Sequence, residues 1–166
     1  MCFEKYLYFK ECSGKNGKPI MICKIRTMKL DADKNLESVL SNGRNGHGKY
    51  LNDSRITEVG GVLRKYWIDE LPQLYNLFKG DIKLVGVRPM AFSEWDKYPS
   101  DIKENALKQK PGLMGFQYSY SSIGCFDDYL MYLRKYLNEF NTDSKTDLKY
   151  FSKVVCNIVF NGVRSC

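Results

Sequence analysis

Proline lacks an amide N–H and has a fixed φ, so a helix accepts it only in the first turn. Pro72 is followed by Leu74, Tyr75, Leu77 and Phe78 at helical spacing, and this predicts a helix beginning near Asp69. Lys79-Gly80 is its stop signal. Two carboxylates, Asp69 and Glu70, therefore stand at a helix N-terminus, where unpaired N–H groups and the positive end of the dipole favour anions. Adjacent residues on a helix point in different directions, so this pair suits two separate tasks better than one shared chelate.

The rest of the chain predicts an α+β fold: one mainly helical domain over residues 1–166, with a small β-hairpin. Residues 3–11 and 19–28 alternate in polarity, and Asn16-Gly17 between them is a hairpin turn signal. In the second strand Ile22, Lys24, Arg26 and Met28 share one face, which projects two cations together. Residues 29–53 are polar and rich in Gly and Asn, and read as a long loop. A helix is expected over 57–66, with Thr57 as N-cap and Val59, Val62 and Leu63 facing inward. Residues 82–88 read as a short strand. Residues 101–109 read as a helix opened by an Asp101/Glu104 capping box and closed by Pro111-Gly112. Two further helices carry apolar stripes: Phe126, Leu130, Leu133, Leu137 and Phe140, then Leu148, Phe151, Val155, Ile158 and Val159. Both stripes are expected in the core, although with Lys135, Lys149 and Lys153 alongside they also suit a bilayer surface.

The net charge of +7 calls for an anionic partner, whether nucleic acid, a phosphorylated small molecule or the anionic face of a membrane; a merely solvating lysine surface is the plain alternative. No stretch approaches the ~18 apolar residues of a spanning helix, and the charged start MCFEKYLYFKEC is not a signal peptide. The six cysteines form no Cys-x-x-Cys pair or zinc-spaced cluster; Cys23 and Cys156 sit in apolar runs and read as core residues of a reduced protein. Gly43 to Lys49 formally fits G-x-x-x-x-G-K, but Tyr50 stands where a phosphate loop needs Ser or Thr, and no buried strand precedes it. The single histidine, His47, belongs to that loop and reads as solvated.

Arg64 lies five residues before Asp69 and Arg88 nineteen after it, beyond a helix and a returning segment. With Lys24 and Arg26, these cations around a helix N-terminus would compose a phosphate site. Taken alone, the same residues also fit a helix capped by Asp69 and Glu70 and neutralised by arginines.

The stretch from Arg55 to Pro89 decides between these readings. Lys24-Ile25-Arg26-Thr27-Met28, Arg55-Ile56-Thr57, Val59-Gly60, Leu63-Arg64-Lys65, Asp69-Glu70-Leu71-Pro72-Gln73-Leu74 with Asn76, Lys79-Gly80-Asp81, Leu84-Val85-Gly86, Arg88-Pro89 and Lys110-Pro111-Gly112-Leu113 with Gly115 follow one pattern in register. It resembles the bacterial sugar transferase family, the monotopic phosphoglycosyl transferases that start surface polysaccharide and glycoconjugate assembly. The resemblance implies transfer of a sugar-1-phosphate from a UDP-sugar to a polyprenyl (undecaprenyl) phosphate at the cytoplasmic face of the bacterial inner membrane. It implies Asp69 as nucleophile and Glu70 as ligand to Mg²⁺, with Lys24, Arg26, Arg64 and Arg88 on phosphate. The nearby cations and the helix terminus are expected to keep Asp69 ionised.

Three departures stand out. Val87 replaces a proline before Arg88, and the segment Gly115-Phe116-Gln117 is one residue shorter than the family's pattern when Gln117 is aligned to its glutamine. The family's hydrophobic N-terminal segment would already have ended where Met1 falls, so the expectation is either a truncated or mis-started product, or a chain that binds peripherally or through a separate anchor; a homo-oligomer is a further expected partner. The reading from another class is an inactive remnant, or a non-catalytic basic module for membrane or nucleic acid. No RNP-like aromatic block supports nucleic acid.

Overall fold

In a computed structural model of the chain, residues 5–32, 34–35, 37–40, 52–143 and 145–164 are described. The loop carrying Gly43 to Lys49 and His47 lies outside them. The fold is α+β, as the pattern predicts. Strands β1 (Leu7–Ser13) and β2 (Pro19–Ile25) form an antiparallel hairpin with Leu7 opposite Ile25 and Ser13 opposite Pro19. The turn sits where Asn16-Gly17 placed it: both residues take positive φ, 57° and 71°. Each strand covers part of the expected range; β2 stops at Ile25, and Met28 instead bridges Ile56.

Beyond the hairpin come α1 (Glu37–Leu40), a short helix within the expected loop, and α2 (Glu58–Lys65). Thr57 caps α2 by accepting the Gly60 amide at 2.9 Å. A 3₁₀ helix (Ile68–Gln73) then leads into α3 (Leu74–Lys79), which stops at Gly80 with φ 81°. Strand β3 (Lys83–Gly86) follows the expected segment. After α4 (Ser100–Leu107), Pro111-Gly112 does more than stop a helix: it opens β4 (Gly112–Gly115), parallel to β3. The chain closes with α5 (Phe126–Thr142) and α6 (Thr146–Phe160).

The main core joins β3 to α4, α5 and α6 through Val85, Ile102, Phe116, Leu133, Tyr136 and Tyr150. A smaller one ties the hairpin to the residue just before β3 through Cys12, Ile22 and Ile82. Among the described residues Cys12 is thus the buried thiol; Cys23 is half-buried and Cys156 exposed, contrary to their apolar surroundings in sequence.

Three helices differ from expectation. In α2 the buried residue is Gly60, while Val59 and Val62 are 69% and 56% exposed. In α4 the capping box does not form; Pro99 precedes the helix, and Asp101 accepts from Arg134 Nε at 3.1 Å instead. In α6 three of the five expected stripe residues, Leu148, Val155 and Val159, are exposed; Phe151 packs on the core and Ile158 is half-buried, while Tyr150, Val154 and Asn157 are buried. Directional partners set that rotation. Tyr150 meets Tyr136 edge-on with centroids 4.9 Å apart, Asn157 Nδ2 donates to the Tyr118 carbonyl at 3.1 Å, and Asp147 accepts Lys83 Nζ at 2.9 Å. A buried polar group without its partner costs more than an exposed Leu or Val gains by turning inward.

Candidate active site

The carboxylate pair grows from an irregular start. Trp67, directly before the 3₁₀ helix, holds φ 57° and ψ 15°, a left-handed conformation uncommon outside Gly and Asn. Asp69 and Glu70 follow in the first turn, each only 7% exposed. Neither caps this helix through its side chain.

Glu70 gathers cations from both sides. Its Oε1 accepts Lys24 Nζ at 2.8 Å and Arg88 Nη2 at 2.7 Å. Lys24 comes from β2, whose pleat buries Ile22 and aims Lys24 from the same face. Arg88 leaves β3 on a segment fastened to β1: the Ser13 amide donates to the Met90 carbonyl at 2.9 Å, and Trp95 Nε1 donates to Ser13 Oγ at 2.6 Å. Burial works against the Arg88 charge, but Glu70 outweighs it and raises its pKa, with help from Tyr118. Burial, then Arg88, push the Lys24 pKa down, against Glu70.

Asp69 has a different environment. Its Oδ1 is enclosed and has no hydrogen-bond partner among the described residues. Burial raises its pKa first and Glu70 adds to this, while Lys24, Arg64 and Arg88 pull it down without cancelling the rise. Desolvation thus outweighs the pull of the helix terminus and the cations on the Asp69 pKa, so the net shift is upward. The site is also more closed than a carboxylate at a helix mouth would be, with Asp69 only 7% exposed.

Arg64, from the last turn of α2, donates through Nε to Thr27 Oγ1 at 2.8 Å. Its pKa is lowered by burial, with Asp69 and then Asp53 acting oppositely. Asp53 itself is clasped by Arg55, whose Nε and Nη2 reach its two oxygens at 2.8 and 2.7 Å.

The structure thus collects Asp69, Glu70, Lys24, Arg64 and Arg88, while the Arg26 guanidinium stands over the Tyr8 ring at 5.6 Å. It also adds Tyr118, which the sequence did not single out. Tyr118, 3% exposed, accepts a hydrogen bond from Arg88, and its ring meets Trp67 edge-on at 5.3 Å. The neighbouring Gln117 is buried with Oε1 unpartnered among the described residues. Trp67 was visible as the aromatic residue two before Asp69; nothing in spacing marked Tyr118.

No group of three His, Cys, Asp or Glu side chains able to hold a metal occurs among the described residues, so they form no all-protein cage. The donor set does suit a divalent cation that takes most of its ligands from phosphate and water: two adjacent carboxylates, one with an orphaned oxygen. Among the described residues no helix is long and apolar enough to cross a membrane.

Residues 3–161 match the family model described as bacterial sugar transferase. Over 132 residues the chain is 40% identical to the galactosyl transferase CpsE of Streptococcus agalactiae, covering 77% of this chain and 29% of that protein. It is 37% identical over 115 residues to the undecaprenyl-phosphate galactose phosphotransferase of Salmonella typhimurium, covering 66% and 24%. It is 39% identical over 111 residues to the UDP-glucose:undecaprenyl-phosphate glucose-1-phosphate transferase of Caulobacter vibrioides, covering 66% and 38%. The matched region spans well under half the length of each of these relatives.

Proposed function

The chain belongs to the bacterial sugar transferase family, and on that premise we propose that it moves a sugar-1-phosphate from a UDP-sugar to a polyprenyl phosphate through an aspartyl intermediate. The observation that carries this reading is the unequal treatment of two adjacent carboxylates. Glu70 is held by Lys24 and Arg88, whereas Asp69 keeps an unpartnered oxygen in the field of three cations.

In the first step an ionised Asp69 oxygen attacks the phosphorus bonded to the sugar. The bond to the bridging oxygen breaks, UMP leaves with that electron pair, and the phosphosugar remains on Asp69 as an acyl phosphate. In the second step a polyprenyl phosphate oxygen attacks the same phosphorus and Asp69 is released as carboxylate. Arg64 and Arg88 steady the charge spread over the phosphoryl oxygens, and Lys24 holds Glu70 in place. Glu70 would hold Mg²⁺, whose chemistry there would be to offset charge developing on the phosphoryl oxygens. The raised Asp69 pKa makes its carboxylate more basic, and a more basic oxygen is a better nucleophile once ionised.

The acceptor is a lipid, and the catalytic segment is suited to one. Val59, Val62, Tyr66, Leu71, Tyr75 and Phe78 are exposed along α2, the 3₁₀ helix and α3, with Lys65 and Lys79 beside them. We place this ridge against the headgroups of the cytoplasmic leaflet, where aromatic and basic side chains are favoured. The product would begin a surface polysaccharide or glycoconjugate.

The test is UMP release from UDP-sugars by the protein on vesicles containing undecaprenyl phosphate and Mg²⁺. Asp69→Asn should abolish release, and mass spectrometry of the wild type without acceptor should find a phosphosugar on Asp69. Release that survives in Asp69→Asn refutes the aspartyl route. The burial of Asp69 favours one second reading, an inactive remnant locked shut. Its mark is a folded wild type that yields no UMP from any UDP-sugar.

A further inference from the structure

Thr27 joins the hairpin to α2. Its side chain is 5% exposed and its hydroxyl accepts Arg64 Nε at 2.8 Å. Its carbonyl is gripped twice by the cap of α2: the Thr57 amide donates at 3.0 Å and the Thr57 hydroxyl at 3.2 Å. The helix can approach this closely because residue 60 is glycine. A Cβ there would lie 2.8 Å from the Thr27 carbonyl carbon and 2.7 Å from Thr57 Oγ1. Backbone and side chain of one residue thus fix both the start of α2 and the arginine near its end.

We infer that Thr27 is a positioning residue for phosphoryl transfer, acting through Arg64. The inference rests on the transferase reading. A guanidinium has one Nε and two Nη groups in a rigid plane. With Nε occupied by Thr27, the plane can no longer turn about the side chain's end, and both Nη groups stay uncommitted to protein acceptors among the described residues. Asp69 is the strongest opposite charge acting on Arg64. Thr27 therefore fixes the orientation of the guanidinium before substrate arrives, leaving its two Nη groups available to phosphoryl oxygens in the field of Asp69. A lysine at 64 could not be aimed in this way, since an ammonium has no plane to lock.

The test compares Thr27→Val, which removes the hydroxyl and keeps the branched shape, with Thr27→Ser, which keeps the hydroxyl. Each is made with Arg64 intact and with Arg64→Gln, and each is checked for an unchanged melting curve. Thr27→Val should lower kcat for UMP release by about tenfold or more, as expected when a charged group loses its alignment, with a smaller change in KM. Thr27→Ser should restore most of it. In the Arg64→Gln background, Thr27→Val should add no further loss. Separately, the Arg64 ¹⁵Nε–H resonance should be slow to exchange in the wild type and in Thr27→Ser, and fast in Thr27→Val. Equal losses in both Arg64 backgrounds, or an Nε–H signal indifferent to the hydroxyl, would overturn the inference. A wild type that releases no UMP defeats the transferase reading instead, and the Nε–H signal still decides whether Thr27 holds Arg64.

Discussion

Adding one methyl group to α2 should have opposite effects at two neighbouring positions. Gly60 and Gly61 are consecutive in the helix, yet a Cβ at Gly61 meets nothing within 4 Å, while one at Gly60 enters the Thr27 carbonyl and the Thr57 hydroxyl. Glycine to alanine inside a helix gains about 1 kcal/mol where space is free. Gly61→Ala should therefore stabilise by up to that amount, raising Tm by about 2–4 °C for a chain of this size. Gly60→Ala gains the same propensity but forces the helix off Thr27. Overpacking costs about 1–3 kcal/mol. Loss of one or two of the three bonds at the junction adds about 1 kcal/mol each. The net destabilisation is about 2–3 kcal/mol, a fall in Tm of roughly 5–10 °C. Thermal unfolding followed by circular dichroism measures both variants side by side. A Gly60→Ala protein that melts at or above the wild type would show that α2 does not pack on the Thr27 carbonyl as described, and the account of Arg64 placement would go with it.

The Lys83 ammonium is bonded to both Asp147 oxygens at 2.9 Å, to Tyr136 Oη at 3.0 Å and to Gln109 at 3.2 Å. Lys83→Met should cost about 2–3 kcal/mol in urea unfolding, less than a fully buried pair because the Asp147 side chain is 35% exposed. Adding Asp147→Leu should recover part of that. The raised pKa of Asp69 means that burial and Glu70 penalise its ionised form. This penalty is absent below the unfolded pKa and grows as pH rises through the folded one. Asp69→Asn should accordingly unfold later than wild type at pH 7, with the gain vanishing in acid; a less stable Asn variant at neutral pH would contradict it. Lys24 lowers the Asp69 pKa, so Lys24→Gln should move the acid limb of the UMP-release profile to higher pH, and an unmoved limb would remove Lys24 from that role. Phe78, 86% exposed, is an apolar tip of the ridge beside the site. Phe78→Asp should weaken co-sedimentation with anionic vesicles while leaving the melting curve unchanged.

What could be read from the chain was whatever depends on neighbours in sequence. Pro72 and Gly80 bound a helical stretch because their restrictions are local, Thr57 announced its cap, and Asn16-Gly17 its turn. The meeting of Lys24, Arg64 and Arg88 around Asp69-Glu70 was likewise anticipated, because the pattern of motifs constrained it. The features that escaped depend on distant partners. Strand β4 exists by pairing with β3 across some 25 residues, and Gly112 alone does not reveal that. Tyr118 enters the site only because Arg88 and Trp67 arrive from elsewhere. The lowering pull of the cations on Asp69 could be read from the sequence, whereas the larger effect of burial could not, because charges are visible in a sequence and burial is not.

The rotation of α6 has a consequence for how the domain tolerates change. Its inner side is pinned by a tyrosine edge, an amide and an ion pair, each demanding a particular atom at a particular angle. Its outer side, with Leu148, Val155 and Val159, answers to no interior constraint. Substitutions there are free of the fold and bound only by whatever medium touches the helix. Over many generations the oily residues of that side would drift toward polar ones in plain water and persist beside lipid or another protein, so their turnover among sister sequences is a gauge of the surroundings rather than of the architecture.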